Sequence, residues 1–185
     1  MPNRLFAFGS RACWLARMFL CLLVLAVGVA SGACGPKETE LAFETIDHHN
    51  SGSGYSDVNP GIRVVASSEE APAVEALLRP RLEAQMRYDE LRSLNYKEWF
   101  GLAVFQGAFR TPDYAIVIER IARRGNTVNV YARFVEPSPG DNVRPSLASP
   151  YHLVRVRKEG KWDEVITFNL MRGRTVVVSV RHYVQ

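Results

Sequence analysis

The histidines and carboxylates of this chain do not assemble into a catalytic pattern. His48–His49 lie in a polar segment, where adjacent histidines are more often solvated side chains than metal ligands. His152 and His182 have no acidic residue at a spacing that would tie them together. Glu69–Glu70 stand at the start of a helical pattern, where carboxylates interact favourably with the helix dipole. Since Gly-x-Ser-x-Gly, phosphate-loop and His-Glu-x-x-His motifs are also missing, we predict no catalytic residue, no metal site and no cofactor.

Cys34 is the residue whose surroundings do indicate a reaction. Residues 1–17 carry three arginines and no acid, Met18–Ala30 is 13 residues without a charge, and residues 31–33 are small. A basic start, a short apolar run and a small-residue cleavage site are the parts of a secretory signal. The apolar run is shorter than the roughly 20 residues that span a bilayer. We therefore predict that residues 1–33 are a signal peptide, with a buried core helix as the alternative interpretation.

The residues at the cleavage site, Ser31-Gly32-Ala33-Cys34, resemble the lipobox of bacterial lipoproteins, in which the cysteine is diacylated and becomes the new N-terminus. Ser31 occupies the position where Leu is usual. The resemblance implies lipid on Cys34, residues 34–40 as lipidated cysteine and tether, and anchoring of the exported protein in the cell envelope. Gly35, in place of a retaining Asp, favours the outer membrane in a two-membrane cell. Cleavage without lipidation is the alternative.

The charge and cysteine counts narrow the class of partner. The whole chain has 23 basic and 19 acidic residues, but three of the arginines lie in the leader, so the remainder carries a net charge of only +1. A near-neutral domain lacks the basic stripe of a nucleic-acid-binding protein. Cys13 and Cys21 also lie in the leader, which leaves Cys34 alone and excludes both an intramolecular disulfide and a multi-cysteine zinc site in the mature chain.

The rest of the chain, residues 41–185, is predicted to form a single β-rich domain. Apolar residues at helical spacing, interrupted by Pro80, predict one helical region near residues 68–91. Alternating or continuously apolar segments predict strands at 41–46, 62–66, 99–105, 114–119, 128–134, 152–156, 164–170 and 175–184. Arg123–Asn126 predicts a hairpin turn, and Trp99 is predicted to lie in a central strand. The expected fold class is α+β, mostly antiparallel β, as a sheet or small sandwich of five or more strands.

Several short motifs between Leu41 and Val156 are similar to those of a known family. They are Phe43-Glu44-Thr45-Ile46, the Ser-Gly loop before Ile62, Val104-Phe105-Gln106-Gly107 followed by Thr111 and Tyr114, Pro139-Gly140, and Ser149-Pro150-Tyr151-His152-Leu153-Val154. They resemble the bacterial lipoproteins related to PrcB, an accessory subunit of a surface protease complex. The resemblance implies a β-rich accessory domain that has no active site of its own and binds a protein partner, with a secreted protease as the candidate.

One turn departs from the family pattern. The family usually has Thr-Gly-Gly-Tyr where this chain has Thr111-Pro112-Asp113-Tyr114. Glycine permits positive φ, whereas proline fixes φ near about −65°. The turn is therefore expected to differ in shape, together with any partner contact made through it.

Two connecting segments are the candidate partner-binding surface, namely residues 107–114 and 136–150. Within them Arg110, Thr111 and Tyr114 are the predicted partner-binding residues, because arginine and tyrosine are favoured at interfaces. The alternative is that Thr111 only shapes the turn and Tyr114 only fills the core. Our functional hypothesis is a membrane-anchored, non-enzymatic accessory protein. The alternatives are a chagasin-like protease inhibitor, a ligand- or lipid-binding envelope module, and an enzyme.

Overall fold

The computed structural model describes residues 37–50, 53–78, 85–111, 113–138 and 146–185. The predicted signal peptide and Cys34 lie outside these residues. The elements in chain order are β1 (Thr39–Glu40), β2 (Phe43–His49), β3 (Gly61–Val65), α1 (Ala71–Leu78), α2 (Gln85–Arg92), β4 (Trp99–Phe105), β5 (Ala115–Arg124), β6 (Thr127–Val135), β7 (Tyr151–Arg157), β8 (Glu164–Arg172) and β9 (Thr175–Val184). Neither of these helices is long and apolar enough to cross a bilayer.

The strands form two sheets, which confirms the predicted fold class. Sheet A has the order β1-β5-β6-β8-β9, and sheet B has the order β2-β7-β4-β3. Every pair is antiparallel except β6 and β8, which run parallel. The chain therefore leaves sheet A after β6, contributes β7 to sheet B, and returns to sheet A as β8.

The main core lies between the two sheets, because alternate side chains of each strand point inward. From sheet B, β4 contributes Phe100 and Leu102, and from sheet A, β8 contributes Phe168 and Leu170, all fully buried. The Phe100 ring contacts the rings of Phe168 and Trp162, with centroids 5.7 Å and 5.2 Å away. Trp99, on the opposite face of β4, is only partly buried.

The two helices cover the outer face of sheet B and create a second core. Val74 and Leu78 of α1 and Leu91 of α2 pack with the outward side chains of β4 and β7, such as Phe105 and Leu153. β4 is therefore buried on both faces, which explains why its sequence is apolar throughout. The predicted helical region is confirmed as two helices, and the predicted interruption at Pro80 lies outside the described residues.

The first strand begins within the segment predicted as a tether. Thr39 and Glu40 pair with Arg123 and Ala122 of β5. The N–H of Leu41 then donates to the carbonyl of Ile121 at 2.8 Å, and the Leu41 side chain is buried. The last two residues of the predicted tether are thus an edge strand of sheet A.

Candidate functional site

Both segments predicted as partner-binding loops lie at one end of the sandwich, and they pair with each other. The N–H of Phe109 donates to the carbonyl of Ala148 at 2.8 Å, and the N–H of Ala148 donates back to the carbonyl of Phe109 at 3.0 Å. The N–H of Ser146 donates to the carbonyl of Arg110 at 3.0 Å. The connection from β4 to β5 is therefore bound to the connection from β6 to β7.

A third segment, the connection from β2 to β3, joins the same end. The N–H of Ala108 donates to the carbonyl of Asp57 at 2.8 Å, and the hydroxyl of Ser149 donates to the carbonyl of Tyr55 at 2.8 Å. The Tyr55 ring stacks on Phe105 of β4, with centroids 4.5 Å apart. We call residues 53–59, 106–111, 113–114 and 146–150 together the loop surface.

Gly107 lets two of these segments approach closely. Its φ is 127°, and a Cβ placed on it would lie 2.6 Å from the carbonyl oxygen of Val58. Only glycine accepts both the backbone angle and the contact. The family-like glycine at this position therefore has a structural reason, which is the packing of one loop against another.

The three predicted partner-binding residues all lie on the loop surface. Arg110 is exposed and, among the described residues, its guanidinium makes no ion pair. Thr111 is partly buried at the start of the turn. The partly buried Tyr114 ring stacks flat on Phe109, with centroids 3.7 Å apart and an interplanar angle of 2°. Tyr114 is thus half of an aromatic pair on the loop surface.

Two aliphatic side chains on the loop surface were not predicted. Leu147 is 82% exposed and Val58 is 70% exposed, more than the other large hydrophobic side chains among the described residues. Leu147 lies between the two residues that hydrogen-bond Arg110 and Phe109, and Val58 lies against Gly107. Val58 lies among Ser, Asp and Asn residues, and Leu147 lies among Ser and Pro residues. An apolar residue with polar neighbours in a loop is the sequence signal that could have indicated both.

The turn that departs from the family pattern retains a left-handed residue. Asp113 has φ of 72°, a conformation that glycine adopts freely and that aspartate adopts at a cost. The expected change of shape at Pro112 lies outside the described residues. The residue after it nevertheless keeps the kind of backbone angle that a family glycine would permit.

Gln106 supports the loop surface from below. Its backbone N–H donates to the carbonyl of Pro150 at 3.1 Å, and its side-chain Nε2 donates to the carbonyl of Val135 at 2.9 Å. The side chain is only 3% exposed, and within the described part of the chain its Oε1 accepts no hydrogen bond. Gln106 thus ties the start of the β4–β5 connection to both ends of the β6–β7 connection, through its backbone at Pro150 and through its side chain at Val135.

His152 and His182 differ in how deeply they are buried and in the side chains that they contact. His152 is buried between the sheets, where the N–H of Ile118 donates to Nδ1 at 2.9 Å and Nε2 lies 2.8 Å from Oγ1 of Thr45. Burial, and to a lesser extent the neighbouring His48, lowers the pKa of His152 from 6.5 to about 4. Because Ile118 and Thr45 already hydrogen-bond the two ring nitrogens of His152, the ring offers no free nitrogen to a substrate.

His182 has an acidic partner that its sequence spacing did not indicate. Its Nε2 lies 3.0 Å from Oε2 of Glu70, a residue 112 positions earlier in the chain. The same Glu70 oxygen accepts the N–H of Ala66 at 2.7 Å, just before α1. In the portion of the chain that the structure describes, no three His, Cys, Asp or Glu side chains gather as metal ligands would.

Comparison with known proteins gives one finding. The model of the family described as PrcB C-terminal matches residues 102–157, which run from within β4 to the end of β7. This confirms the predicted resemblance to the PrcB-like family for that part of the chain. Residues 41–101, where the resemblance was also predicted, lie outside the match. Neither the curated proteins nor the solved structures contain a match to this chain.

Proposed function

With a PrcB C-terminal match over residues 102–157 as the premise, we propose that this chain is a non-enzymatic accessory lipoprotein of the bacterial cell envelope. It is exported, cleaved before Cys34 and anchored by lipid on that residue. Its loop surface binds a protein partner, for which a secreted protease is the candidate. In a cell with two membranes the outer membrane is its location.

The composition of the loop surface is the observation that carries this proposal. It combines a stacked aromatic pair and an arginine, which are residue types enriched at protein interfaces, with two highly exposed aliphatic side chains whose apolar surface a partner would cover. These side chains stand on loops that hydrogen-bond to one another above a rigid sandwich. Loops positioned in this way commonly carry recognition, and little ordering is required of them when a partner binds.

The buried titratable side chains of the described residues all contact partners within the fold, and this supports a non-enzymatic role. Glu75 is buried in an ion pair with Arg92, and Asp47 accepts the hydroxyl of Tyr151 at 2.5 Å. His152 is bonded at both ring nitrogens. The clefts lined by described residues are open to solvent, which also favours an interaction protein over a ligand carrier.

Lipidation is tested by mass. The mature protein purified from its own envelope is expected to begin at Cys34 and to carry the mass of a diacylglyceryl group. The Cys34→Ser variant is expected to accumulate as an uncleaved, slower-migrating precursor. A mature N-terminus elsewhere, or Cys34 without lipid, contradicts the anchoring part of the proposal.

Partner binding is tested by capture from the envelope. The tagged, lipidated protein is cross-linked in cells and purified, and the captured chains are identified by mass spectrometry. The double variant Arg110→Ala, Thr111→Ala is expected to lose the specific partner while its melting temperature stays within about 2 °C of the wild type. Because Arg181 is an exposed arginine on β9, outside the loop surface, Arg181→Ala is the matched control and is expected to retain the partner. Unchanged capture by the double variant contradicts the assignment of the site.

An inhibitor is the second candidate, and the meeting of three loops at one end of a sandwich favours it, since such loops can enter a protease cleft. The partner protease is assayed with and without the purified protein. An accessory subunit leaves peptide hydrolysis unchanged or raises it. A loss of hydrolysis that Leu147→Ser reverses identifies an inhibitor.

A further inference from the structure

The chain enters the domain at the end of sheet A that is farthest from the loop surface. Ala115, the first residue of β5, directly follows Tyr114 of the loop surface, and Arg123, near the other end of β5, pairs with Thr39 of β1. A ten-residue strand is about 30 Å long at roughly 3.3 Å per residue. Lys37 therefore lies about the length of β5 away from the loop surface.

The entering segment is held to sheet A by side chains as well as by the β1 ladder. Glu38 lies 3.6 Å from the guanidinium of Arg120, and the hydroxyl of Tyr131 also reaches Glu38. Arg120 covers the Tyr131 ring at 3.9 Å. The position of the chain at residue 38 is thus defined by three contacting side chains.

A cleft lined by three basic and two acidic side chains opens beside this entry point. It has a volume of about 490 Å³ and is lined by Lys37, by Arg123 and the turn between β5 and β6, and by residues 159–161 and Glu164 from the region between β7 and β8. Arg123 is neutralised by Glu164 at 2.7 Å and covers the Trp162 ring at 4.1 Å. Lys37 and Lys161 form no ion pair with any described residue. The Glu159 carboxylate of the same lining is also without an ion pair among the described residues, so the two ammonium groups and this carboxylate leave the cleft one net positive charge for anions from outside the chain.

The distance along the chain from this cleft to Cys34 is short. Lys37 is three positions after Cys34, and three residue steps span about 10 Å at most when fully extended. A lipid on Cys34 would have to enter the bilayer within that reach of the cleft. The anions nearest to Lys37 and Lys161 would then be lipid phosphates.

From this geometry we infer that the cleft end of the sandwich docks on anionic phospholipid headgroups through Lys37 and Lys161, so that the loop surface faces away from the membrane. The inference rests on the proposed lipidation of Cys34. The short segment between Cys34 and Lys37 keeps the cleft close to the bilayer. Attraction between the two lysines and the lipid phosphates then determines which side of the domain faces the bilayer.

A single introduced thiol measures this orientation, since the mature chain contains no cysteine other than the lipidated Cys34. Asn126 lines the cleft and Leu147 lies on the loop surface, and both are exposed. Full-length Asn126→Cys and Leu147→Cys are each expressed, lipidated, labelled with a fluorophore and placed in vesicles of equal parts phosphatidylglycerol and phosphatidylcholine. Quenching by headgroup-spin-labelled lipid is expected to be at least fivefold stronger at position 126 than at position 147. Equal quenching at the two positions overturns the inference.

The charge contribution is measured in the same vesicles. Lys37→Gln with Lys161→Gln, added to the Asn126→Cys chain, is expected to reduce quenching at position 126 by at least half, whereas Lys37→Arg with Lys161→Arg is expected to preserve it. Undiminished quenching in the Gln pair overturns docking through the lysines. The mass of each sample distinguishes a failure of the proposed lipidation from a failure of the proposed orientation. A chain without lipid contradicts the proposed function, while a lipidated chain with equal quenching contradicts only the orientation.

Discussion

Acid is expected to destabilise this protein through His152, which ties the two sheets together. The N–H of Ile118 donates to Nδ1 of the ring, so the ring proton lies on Nε2 and donates to Oγ1 of Thr45. Ile118 belongs to β5 in sheet A, and its N–H is directed to the ring at a β-bulge between Ile118 and Arg120. A second proton on the ring would point Nδ1–H at this N–H and would break the bond between the sheets.

The size of the effect follows from the pKa of His152. Desolvation, and to a lesser extent the nearby His48, lower the pKa of His152 and Asp47 partly opposes them, with the net result that the pKa falls from 6.5 to about 4. Between these two values the unfolded chain binds a proton that the native ring does not. The free energy of unfolding therefore decreases as the pH falls from 6.5 to 4, by roughly 3 kcal/mol in total from this residue. From about pH 7.5 upward the ring is neutral in both states and contributes no pH dependence.

The assay is urea unfolding followed by tryptophan fluorescence at several pH values between 4 and 7.5. His152→Gln keeps an acceptor for Ile118 and a donor for Thr45 but cannot titrate. The difference in unfolding free energy between the wild type and this variant is expected to level off above about pH 7 and to shift by roughly 3 kcal/mol in favour of the variant by pH 4. Carboxylates act on both proteins and cancel in the difference. Parallel pH profiles for the two proteins would refute the reasoning, and His182→Gln, which changes a more exposed ring, is the matched control.

Four further substitutions test the packing, each by the change in urea unfolding free energy. Phe100→Ala is expected to cost about 3–5 kcal/mol because the ring is fully buried against two aromatic rings, whereas Trp99→Ala, at a partly buried ring, is expected to cost less than about 2 kcal/mol. Asp113→Gly is expected to stabilise the protein by about 0.5–1 kcal/mol, since φ of 72° suits glycine, and an unchanged stability would contradict strain there. Gly107→Ala is expected to destabilise by more than about 2 kcal/mol, through both its φ of 127° and the clash with Val58, and a neutral effect would show that the loops separate easily.

Much of the secondary structure could be predicted from residue patterns. Strand β9 has the predicted bounds, Thr175–Val184, and the Arg123–Asn126 hairpin joins β5 to β6 as expected. These features depend on alternation and turn chemistry, which are local in sequence. The assignment of strands to two sheets, and the parallel pairing of β6 with β8, could not be predicted because pairing depends on contacts across the whole domain.

The candidate site was predictable only in part. Segments 107–114 and 136–150 are predictable as candidate loops from their length and their family-like residues, and the structure brings the two together. The stack of Tyr114 on Phe109 and the exposure of Leu147 depend on how the loops fold against each other, which no spacing records. The contact of His182 with Glu70 joins residues far apart in sequence, and for the same reason no local pattern indicated it. Trp99 lies in the predicted central strand, but alternation alone could not show how deeply its ring is buried.

The parallel pairing of β6 with β8 has a consequence for how the protein folds. The connection that brings β8 beside β6 in sheet A also contains β7 of sheet B, so completion of the two sheets is coupled through one segment of the chain. The matched segment, residues 102–157, holds β5 and β6 of one sheet and β7 with most of β4 of the other, without the neighbours β2, β3, β8 and β9. Expressed alone, it would expose unpaired edges on both sheets. Folding should therefore be a single cooperative event, dominated by contacts between distant residues, on a timescale of about milliseconds to seconds, and on a ribosome it should wait until β9 has emerged.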